Sequence, residues 1–226
     1  MHIWIQLVVK KSDCIEVIYH ACSLTIFGLK SMTISLYYIH MIVHKAYETL
    51  LSWWIMVYPT ETIRWLGWDP TNISTISRLH SLKWSAPTKP LTILVWSYEQ
   101  FLYYCPKTPS HVLESIRSAD QPITHIIPWL WTTSRDLDHC FVSGEWLGIR
   151  VVIDHDFLTP LFALWSKPII STSANFHGEN SPVHRGDISP ALSAGVEYFV
   201  PGERKMSWSP SHIYKWSAKW TYHIIR

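Results

Sequence analysis

The sequence predicts one α/β domain, in which the strands of a single sheet alternate with helices along the chain. Two kinds of pattern support this prediction. Short apolar runs that stop at proline or small polar residues are typical of strands, and segments with an apolar residue at every third or fourth position are typical of helices. Their alternation is the pattern of an α/β sheet domain. With 226 residues, of which 48% are apolar, the chain can bury one sizeable core.

Four elements are predicted between residues 33 and 82. The apolar run at 55–58 stops at Pro59, which lacks the N–H group that a strand ladder needs. Asn72 belongs to the residue types that cap helix N-termini. In chain order the predictions are a strand at 33–36, a helix at 42–51, a strand at 55–58 and a helix at 73–82.

The remainder of the chain continues the alternation. Ser110 follows Pro109 and is a suitable N-cap, whereas the glycines and prolines between 176 and 190 indicate a loop. The predicted elements are a strand at 91–95, helices at 98–104 and 110–117, a strand at 148–153, a helix at 159–164, a strand end at 169–170, and late strands at 197–200 and 212–214.

Composition and charge argue against several classes of protein. A formal net charge of +2 with 16% charged residues predicts no strong electrostatic partner. Four cysteines without Cys-x-x-Cys spacing favour reduced thiols in a cytoplasmic protein. The 13 histidines show no zinc-ligand spacing, so no metal site is predicted. The nearest candidates, at 139–140 and 154–156, are better interpreted as surface features.

Residues 1–31 are interpreted as an N-terminal extension that need not be native, and residues 32–226 as the domain, with Met32 as the start. The apolar run at 15–29 is interrupted by Glu16. It is therefore shorter than the roughly 20 predominantly apolar residues of a membrane span. No stable membrane partner is expected.

Two motifs carry most of the functional information. Residues 58–69 read Tyr-Pro-Thr-Glu-Thr-Ile-Arg-Trp-Leu-Gly-Trp-Asp, and residues 171–175 read Ser-Thr-Ser-Ala-Asn. The pair resembles the YrdC-type threonylcarbamoyl-AMP synthase family, whose pattern contains Tyr-Pro-Thr-Glu-Thr-x-Tyr-Gly-Leu-Gly and later Ser-x-Ser-Ala-Asn. Further blocks match in the family's order at 69–72, 82–91, 128–132, 149–155, 201–203, 210–213 and 224–226.

The resemblance implies a twisted, mixed open sheet with flanking helices and a concave nucleotide cleft. It also implies a nucleotidyltransferase that joins L-threonine, bicarbonate or CO2 and ATP, with Mg2+, into threonylcarbamoyl-AMP and pyrophosphate. A tRNA-modifying threonylcarbamoyl transferase would then use the product to modify the adenosine next to the anticodon. Positioning and electrostatics dominate such chemistry, so it does not require a Walker loop.

Two other functions stay open at this point. A non-catalytic relative could use the same surface to bind double-stranded or structured RNA, with an affinity that falls steeply as salt rises. A paralogue could instead activate another small amine or acid.

The resemblance assigns roles to particular residues, with Lys83 and Arg150 as the catalytic pair. Residue chemistry alone leaves simpler interpretations open: Thr60 as a turn hydroxyl, Lys83 as a charge at a helix end, and Arg150 as the partner of a protein carboxylate. The resemblance implies that threonine is contacted by Thr60, Arg150 and Ser211, and the nucleotide by Lys83, Thr132, Ser173, Asn175 and Arg226.

Two positions depart from the family's pattern in ways that affect the site. Ser85 stands where the family's Lys-x-Arg motif has its arginine, and Arg64 stands where the family has a tyrosine. Loss of one preorganised donor commonly costs about 100-fold in rate. Arg64 and Lys89 are the candidates to replace the missing cation.

Tryptophan repeatedly occupies positions where the family has glycine, and the chain has 14 Trp against 8 Gly. Glycine supplies positive φ angles and close backbone approach, and an indole supplies neither. We hypothesise that many of these residues are glycine in the native protein, encoded by a reassigned UGA codon. A Trp-rich divergent sequence is the alternative, which TGG codons would establish. The positions are Trp53, Trp54, Trp65, Trp84, Trp129, Trp165 and Trp208.

Overall fold

The computed structural model describes most of the chain after residue 26. The chain divides into two compact units, Met1–Tyr38 and Ile39–Arg226. Side chains are described from Tyr38 onward, apart from that of Ile73. The described residues are 27–83, 92–119, 121–128, 132, 137, 146–152, 155–202, 211–217, 219 and 221–225.

Helices and strands alternate along the described chain, as the sequence predicts. The helices are α1 (Phe27–Leu51), α2 (Ile73–Leu82), α3 (Tyr98–Tyr104), α4 (Ser110–Arg117), α5 (Leu158–Trp165) and α6 (Pro190–Ser193), with a 3₁₀ turn at Arg185–Asp187. The strands are β1 (Met56–Pro59), β2 (Arg64–Trp68), β3 (Thr92–Val95), β4 (Ile123–Pro128), β5 (Trp146–Val151), β6 (Ile169–Ser173), β7 (Tyr198–Phe199), β8 (His212–Trp216) and β9 (Tyr222–Ile224).

These strands form one mixed, open sheet in the order β7-β1-β2-β6-β3-β5-β4-β8-β9. The pairs β1–β7, β3–β5 and β4–β8 are parallel, and the other neighbours are antiparallel. The predicted mixed open sheet with flanking helices is thereby confirmed.

Apolar clusters cover both faces of the sheet. On one face, Ile93 of β3 lies in a cluster with Leu79 of α2 and Phe101 of α3, and we call this the α2–α4 face. On the other, Leu94 lies in a cluster with Ala46 of α1 and Leu161 of α5, and we call this the α1–α5 face. Because side chains alternate along a strand, each strand residue can be assigned to one of these faces.

Several predicted elements are confirmed and one is wrong. The helices at 73–82, 98–104 and 110–117 have the predicted bounds. Residues 33–36 lie within α1 and not in a strand. A short β-branched apolar run does not distinguish a strand from part of a helix, so the surrounding helix decides. Since α1 runs without a break through Met32, the boundary at 31–32 stays a prediction.

Three strands, β2, β4 and β9, were not predicted. Strand β2 contains Gly67, a poor strand former, and it is stabilised by its neighbours β1 and β6. Strand β4 lies between β5 and β8, so its pairing is non-local. Within the described residues, no helix is both long and apolar enough to cross a membrane.

The C-terminus of α1 contains a tryptophan where helices commonly have glycine. The N–H of Trp54 donates to the carbonyl of Thr49 (3.0 Å) and that of Trp53 donates to Leu50 (3.0 Å). This bond pattern is a Schellman motif with Trp53 at the C′ position. Trp53 has a φ of 59° and its side chain is 58% exposed, so no burial offsets the strained backbone. The backbone here agrees with the hypothesis that position 53 is glycine in the native protein.

A second buried feature lies on the α2–α4 face. His125 of β4 is 2% exposed, and its Nδ1 accepts a hydrogen bond from Trp216 Nε1 (3.1 Å). Burial lowers the pKa of His125 from 6.5 to about 4. The ring is therefore neutral at physiological pH, with its proton on Nε2.

We predict that Trp53→Gly stabilises the protein. Removing the Cβ from a left-handed residue should raise the free energy of unfolding by about 1 kcal/mol, or the melting temperature by about 2–4 °C. Trp54→Gly is the matched control, since Trp54 is also exposed and has no positive φ. Thermal unfolding of both variants measures the effect, and equal responses would contradict the explanation.

We also predict that stability falls as the pH is lowered from 6.5 towards 4. The unfolded chain binds a proton at His125 below pH 6.5, and the folded state does so only near pH 4. The neutral His125 contributes about 3 kcal/mol to the free energy of unfolding above pH 6.5, and this contribution is lost as the pH falls from 6.5 to 4. His125→Gln, which keeps an acceptor for Trp216, should flatten the dependence in urea titrations. His111→Gln, which replaces an exposed histidine, should leave the pH dependence of stability unaltered.

Candidate functional site

The turn between β1 and β2 is closed by the side chain of Thr60. Its Oγ1 donates to the carbonyl of Ile63 (2.8 Å) and accepts from the backbone N–H groups of Thr62 (3.2 Å) and Ile63 (3.3 Å). Thr60 is 1% exposed. Its hydroxyl therefore has a structural role in the turn, and the turn holds Glu61 at its outer side.

Glu61 forms an ion pair with Arg150, the predicted arginine of β5. Glu61 Oε1 contacts Arg150 Nη2, and the side chains are 33% and 2% exposed. Arg150 lies on the α1–α5 face, because its neighbours Ile149 and Val151 belong to the cluster on the other face. Within the described residues, its Nε and Nη1 are buried without a hydrogen-bond partner. Burial lowers the pKa of Arg150 to about 10, so it remains charged at neutral pH.

His155 stands behind Glu61 and caps α5. Its Nδ1 accepts hydrogen bonds from the backbone N–H groups of Phe157 (3.2 Å) and Leu158 (3.1 Å), and the backbone N–H of His155 donates to Thr159 Oγ1 (2.9 Å). A ring nitrogen that accepts two bonds carries no proton. The proton-bearing Nε2 lies 3.9 Å from Glu61 Oε2. This is an electrostatic contact, too long for a hydrogen bond.

Other buried polar residues lie on the same face as Arg150. Tyr58 and Ser171 share a hydrogen bond between their hydroxyls (2.6 Å), as do Thr124 and Ser211 (3.0 Å). Extending the antiparallel register from Ile126↔Gly148 places Thr124 opposite Arg150. We call Tyr58, Ser171, Arg150, Thr124 and Ser211 the polar row. Through Thr124, the row links Arg150 with Ser211, and it adds three residues to which the sequence analysis gave no role.

No period-2 pattern in the sequence marks the added residues. Ser171 is followed by Thr172 and Thr124 by His125, so polar side chains lie on both faces of each strand. Tyr58 reaches Ser171 by lying across Gly67, where a Cβ would come within 2.5 Å of the Tyr58 ring. Burial raises the pKa of Tyr58, so its hydroxyl stays protonated.

Trp65 fills space beside this row. It pairs with Tyr58 on β1 and Ser173 on β6, and its ring centroid lies 5.9 Å from Arg150 Cζ. The indole is 5% exposed, and its Nε1 is buried with no partner in the described part of the chain. A glycine here would remove that unpaired donor and leave open space next to Arg150. The predicted concave cleft would lie on this side, so the geometry agrees with glycine at position 65.

A second group of predicted residues lies at the end of β6. Lys83 Nζ donates to Thr172 Oγ1 (3.1 Å) and to the carbonyl of Ser173 (2.6 Å). Asn175 Nδ2 donates to the carbonyl of Glu179 (2.7 Å), whereas its Oδ1 is buried with no described partner. The structure thus brings Lys83, Ser173 and Asn175 together. Strand β6 joins them to the polar row, because Ser171 and Ser173 share a face.

The remaining predicted residues are not placed relative to these groups. Thr132 is half-buried, but residues 129–131 and 133–136 beside it lie outside the described residues. Arg226 also lies outside them, as do Ser85 and Lys89.

Arg64, one of the two candidates to replace the missing arginine, does not lie in the polar row. Arg64 alternates with Trp65 on β2 and therefore lies on the α2–α4 face, opposite Arg150. Its Nε donates to the carbonyl of Val183 (3.1 Å) and its Nη2 to that of Gly202 (2.9 Å). Strand alternation directs this guanidinium to the surface loops and away from the polar row.

A cavity of about 290 Å³ lies at the ends of β4 and β5, beside α3 and α4. None of the predicted site residues lines it, and within its described lining Glu61 is the only charged residue. Its strand residues Ile123, His125 and Val151 belong to the α2–α4 face. The polar row is the better candidate site because it has a buried cation with open donors. The lining residues are Glu61, Tyr98, Ile116, Ala119, Gln121, Pro122, Ile123, His125, Val151 and Val152.

Known proteins resemble this chain in sequence. A threonylcarbamoyl-AMP synthase from Xanthomonas euvesicatoria pv. vesicatoria (strain 85-10) is 30% identical over 173 residues, covering 75% of this chain and 90% of that protein. A threonylcarbamoyl-AMP synthase from Shigella flexneri is 33% identical over 162 residues, covering 70% of this chain and 83% of that protein.

Solved structures share the fold. A Sua5 from P. abyssi complexed with L-threonine superposes with a TM-score of 0.69 at 19% identity, over 81% of this chain and 53% of that one. The chain therefore spans about half the length of that protein. YciO from E. coli superposes with a TM-score of 0.67 at 16% identity, over 83% of this chain and 89% of that one.

The family comparison agrees with both. Residues 48–226 match the family model of Sua5, YciO and YrdC, which is described as "Telomere recombination". The matched region contains the motif at 58–69, the polar row and the end of β6. The chain belongs to the Sua5/YciO/YrdC family.

Proposed function

We propose that this protein is a threonylcarbamoyl-AMP synthase, which forms threonylcarbamoyl-AMP and pyrophosphate from L-threonine, bicarbonate and ATP. The observation that carries the proposal is the buried Arg150 of the polar row, whose Nε and Nη1 have no partner among the described residues. Such a cation is suited to an anionic ligand. Relatives that share 30% and 33% identity bear the name of this enzyme.

The threonine end of the reaction would use the polar row. Arg150 would bind the threonine carboxylate, and the hydroxyl of Ser211 would contact the amino acid from β8. Thr60 would contact threonine, as the resemblance implies, and its hydroxyl would also fix the turn that contains Glu61. Because these groups are almost fully buried, an amino acid bound there would be shielded from water, which strengthens each electrostatic contact.

The nucleotide end would use the group at the end of β6. Lys83 and the Ser173–Asn175 segment would contact the phosphates of ATP, with Thr132 and Arg226 as further contacts. No cluster of three His, Cys, Asp or Glu side chains in the described part of the chain could hold a metal ion. Mg2+ would therefore enter bound to ATP, as is usual for nucleotide substrates.

The reaction places the protein among the nucleotidyltransferases. The amino group of threonine and bicarbonate would form a carbamate with loss of water. A carbamate oxygen would then attack the α-phosphate, and pyrophosphate would leave. The protein's part is to align the two substrates and to stabilise charge on the phosphate. A cytoplasmic threonylcarbamoyl transferase would then transfer the threonylcarbamoyl group to tRNA, with release of AMP.

Pyrophosphate release from ATP tests the proposal. It should require both threonine and bicarbonate, in the full chain or in a version with all seven family-position tryptophans changed to glycine. Activity in the second version alone would support the proposal together with the hypothesis that tryptophans at these positions are glycine in the native protein. A folded, ATP-binding protein that releases no pyrophosphate in either version would contradict the proposal.

The RNA-binding alternative makes a different prediction. Binding that depends on phosphate contacts should weaken strongly between 50 and 200 mM salt. Tight, salt-sensitive binding to double-stranded RNA in a protein without synthase activity would favour that function.

We predict that Arg150→Lys lowers kcat/KM for threonine by about 100-fold, because lysine lacks the planar fork that binds a carboxylate. Arg64→Lys is the matched control, since Arg64 is also a buried arginine but lies on the opposite face. It should destabilise the protein and leave kcat/KM within about threefold. Steady-state kinetics with threonine varied at saturating ATP distinguishes the two. An equal loss of kcat/KM in both variants would contradict a specific role of Arg150 in binding threonine.

A further inference from the structure

Glu61 is the carboxylate that contacts Arg150 among the described residues. Its Oε1 meets Nη2 and occupies one of the three nitrogens of the guanidinium. The other two, Nε and Nη1, are the buried donors without described partners. Glu61 therefore determines which part of Arg150 remains available to a ligand.

Glu61 has fixed neighbours on two sides. Its backbone lies in the turn that the Thr60 hydroxyl closes. Its Oε2 lies 3.9 Å from His155 Nε2. The His155 ring is fixed in turn, because its Nδ1 accepts two hydrogen bonds at the start of α5. The backbone of Glu61 is therefore fixed by the turn, and the His155 ring beside its carboxylate is fixed by the helix.

We propose that Glu61, supported by His155, is a positioning residue that holds the Arg150 guanidinium in the orientation in which Nε and Nη1 meet an anionic substrate group. A long side chain with one fixed contact loses much of its rotational freedom before the ligand arrives. The binding step then costs less entropy and the reacting groups are better aligned. The identity of the anion, the threonine carboxylate, rests on the proposed function, whereas the orientation of Arg150 does not.

The structure also supplies a route for chemical rescue. The Glu61 side chain is 33% exposed and lines the cavity of about 290 Å³. In Glu61→Ala, a small carboxylate such as acetate can enter through this cavity and occupy the place of the lost side chain.

The kinetic test compares Glu61→Ala and Glu61→Gln with the unchanged chain. Glu61→Ala should lower kcat/KM for threonine by about 100-fold, mainly through KM, and leave the KM for ATP within about twofold. Acetate should raise the kcat/KM of Glu61→Ala for threonine by about tenfold. Glu61→Gln keeps an oxygen for Nη2, so its kcat/KM should lie between those of Glu61→Ala and the unchanged chain.

Two controls separate positioning from general structure. His155→Asn keeps an acceptor for the N-terminus of α5 and removes the group behind Glu61, so it should raise the threonine KM by about tenfold without unfolding the protein. Glu48→Ala removes an exposed glutamate that pairs with Lys45. Its threonine kinetics should equal those of the unchanged chain, and acetate should not alter them. Unchanged threonine kinetics in folded Glu61→Ala, or an equal rise in both KM values, would overturn the proposal.

A spectroscopic test is independent of activity. The 15Nε–1H resonance of Arg150, assigned by its absence in Arg150→Lys, should be sharp in the unchanged chain, broadened in Glu61→Ala and sharpened again by acetate. If no form of the protein makes pyrophosphate but the resonance behaves in this way, the proposed function fails and the positioning role stands. A resonance that is identical in Glu61→Ala overturns the positioning role whatever the activity.

Discussion

A guanidinium buried within an apolar sheet face is the interaction on which this side of the molecule depends. Arg150 is 2% exposed between neighbours that pack into the cores, so its charge needs a partner inside the protein. Without one, a buried charge of this kind costs several kcal/mol. Glu61 supplies the negative charge, the Thr60 turn holds Glu61, and His155 ties this arrangement to the start of α5. The turn, the strand and the helix are thus linked through one cation.

Strand β6 connects the two parts of the candidate site. Its residues Ile169, Ser171 and Ser173 share the face of Arg150, and Ser171 bonds to Tyr58. At its end, the carbonyl of Ser173 accepts a hydrogen bond from Lys83 Nζ. The same Nζ also donates to Thr172, whose side chain lies on the other face of the sheet. A strand is rigid over such short distances. The amino-acid end and the nucleotide end would therefore keep a constant separation, as joining two substrates requires.

Three tryptophans between residues 53 and 68 fit their surroundings poorly, in two different ways. Trp53 is exposed and takes a left-handed backbone at a helix end, a position that favours glycine for steric reasons. Trp65 and Trp68 are buried with indole N–H groups that have no described partner, which costs roughly 1–3 kcal/mol for each group. Glycine would relieve the strain at position 53 and remove the unpaired donor at position 65, two of the positions where the family has glycine. Trp165 behaves differently, because its Nε1 donates to the carbonyl of Pro168 (3.1 Å) in a well-formed contact.

The sequence by itself determined the fold class, the three helices from α2 to α4 and the family. These depend on local periodicity, on capping residues such as Asn72, and on motifs whose order along the chain is visible without coordinates. Only the tertiary structure decided that Arg64 and Arg150 lie on opposite faces, that Glu61 is the carboxylate paired with Arg150, and that Tyr58 and Ser171 meet. Such contacts join strands that are distant in sequence, and the pairing register fixes them. A shift of one residue in that register would turn every side chain to the other face.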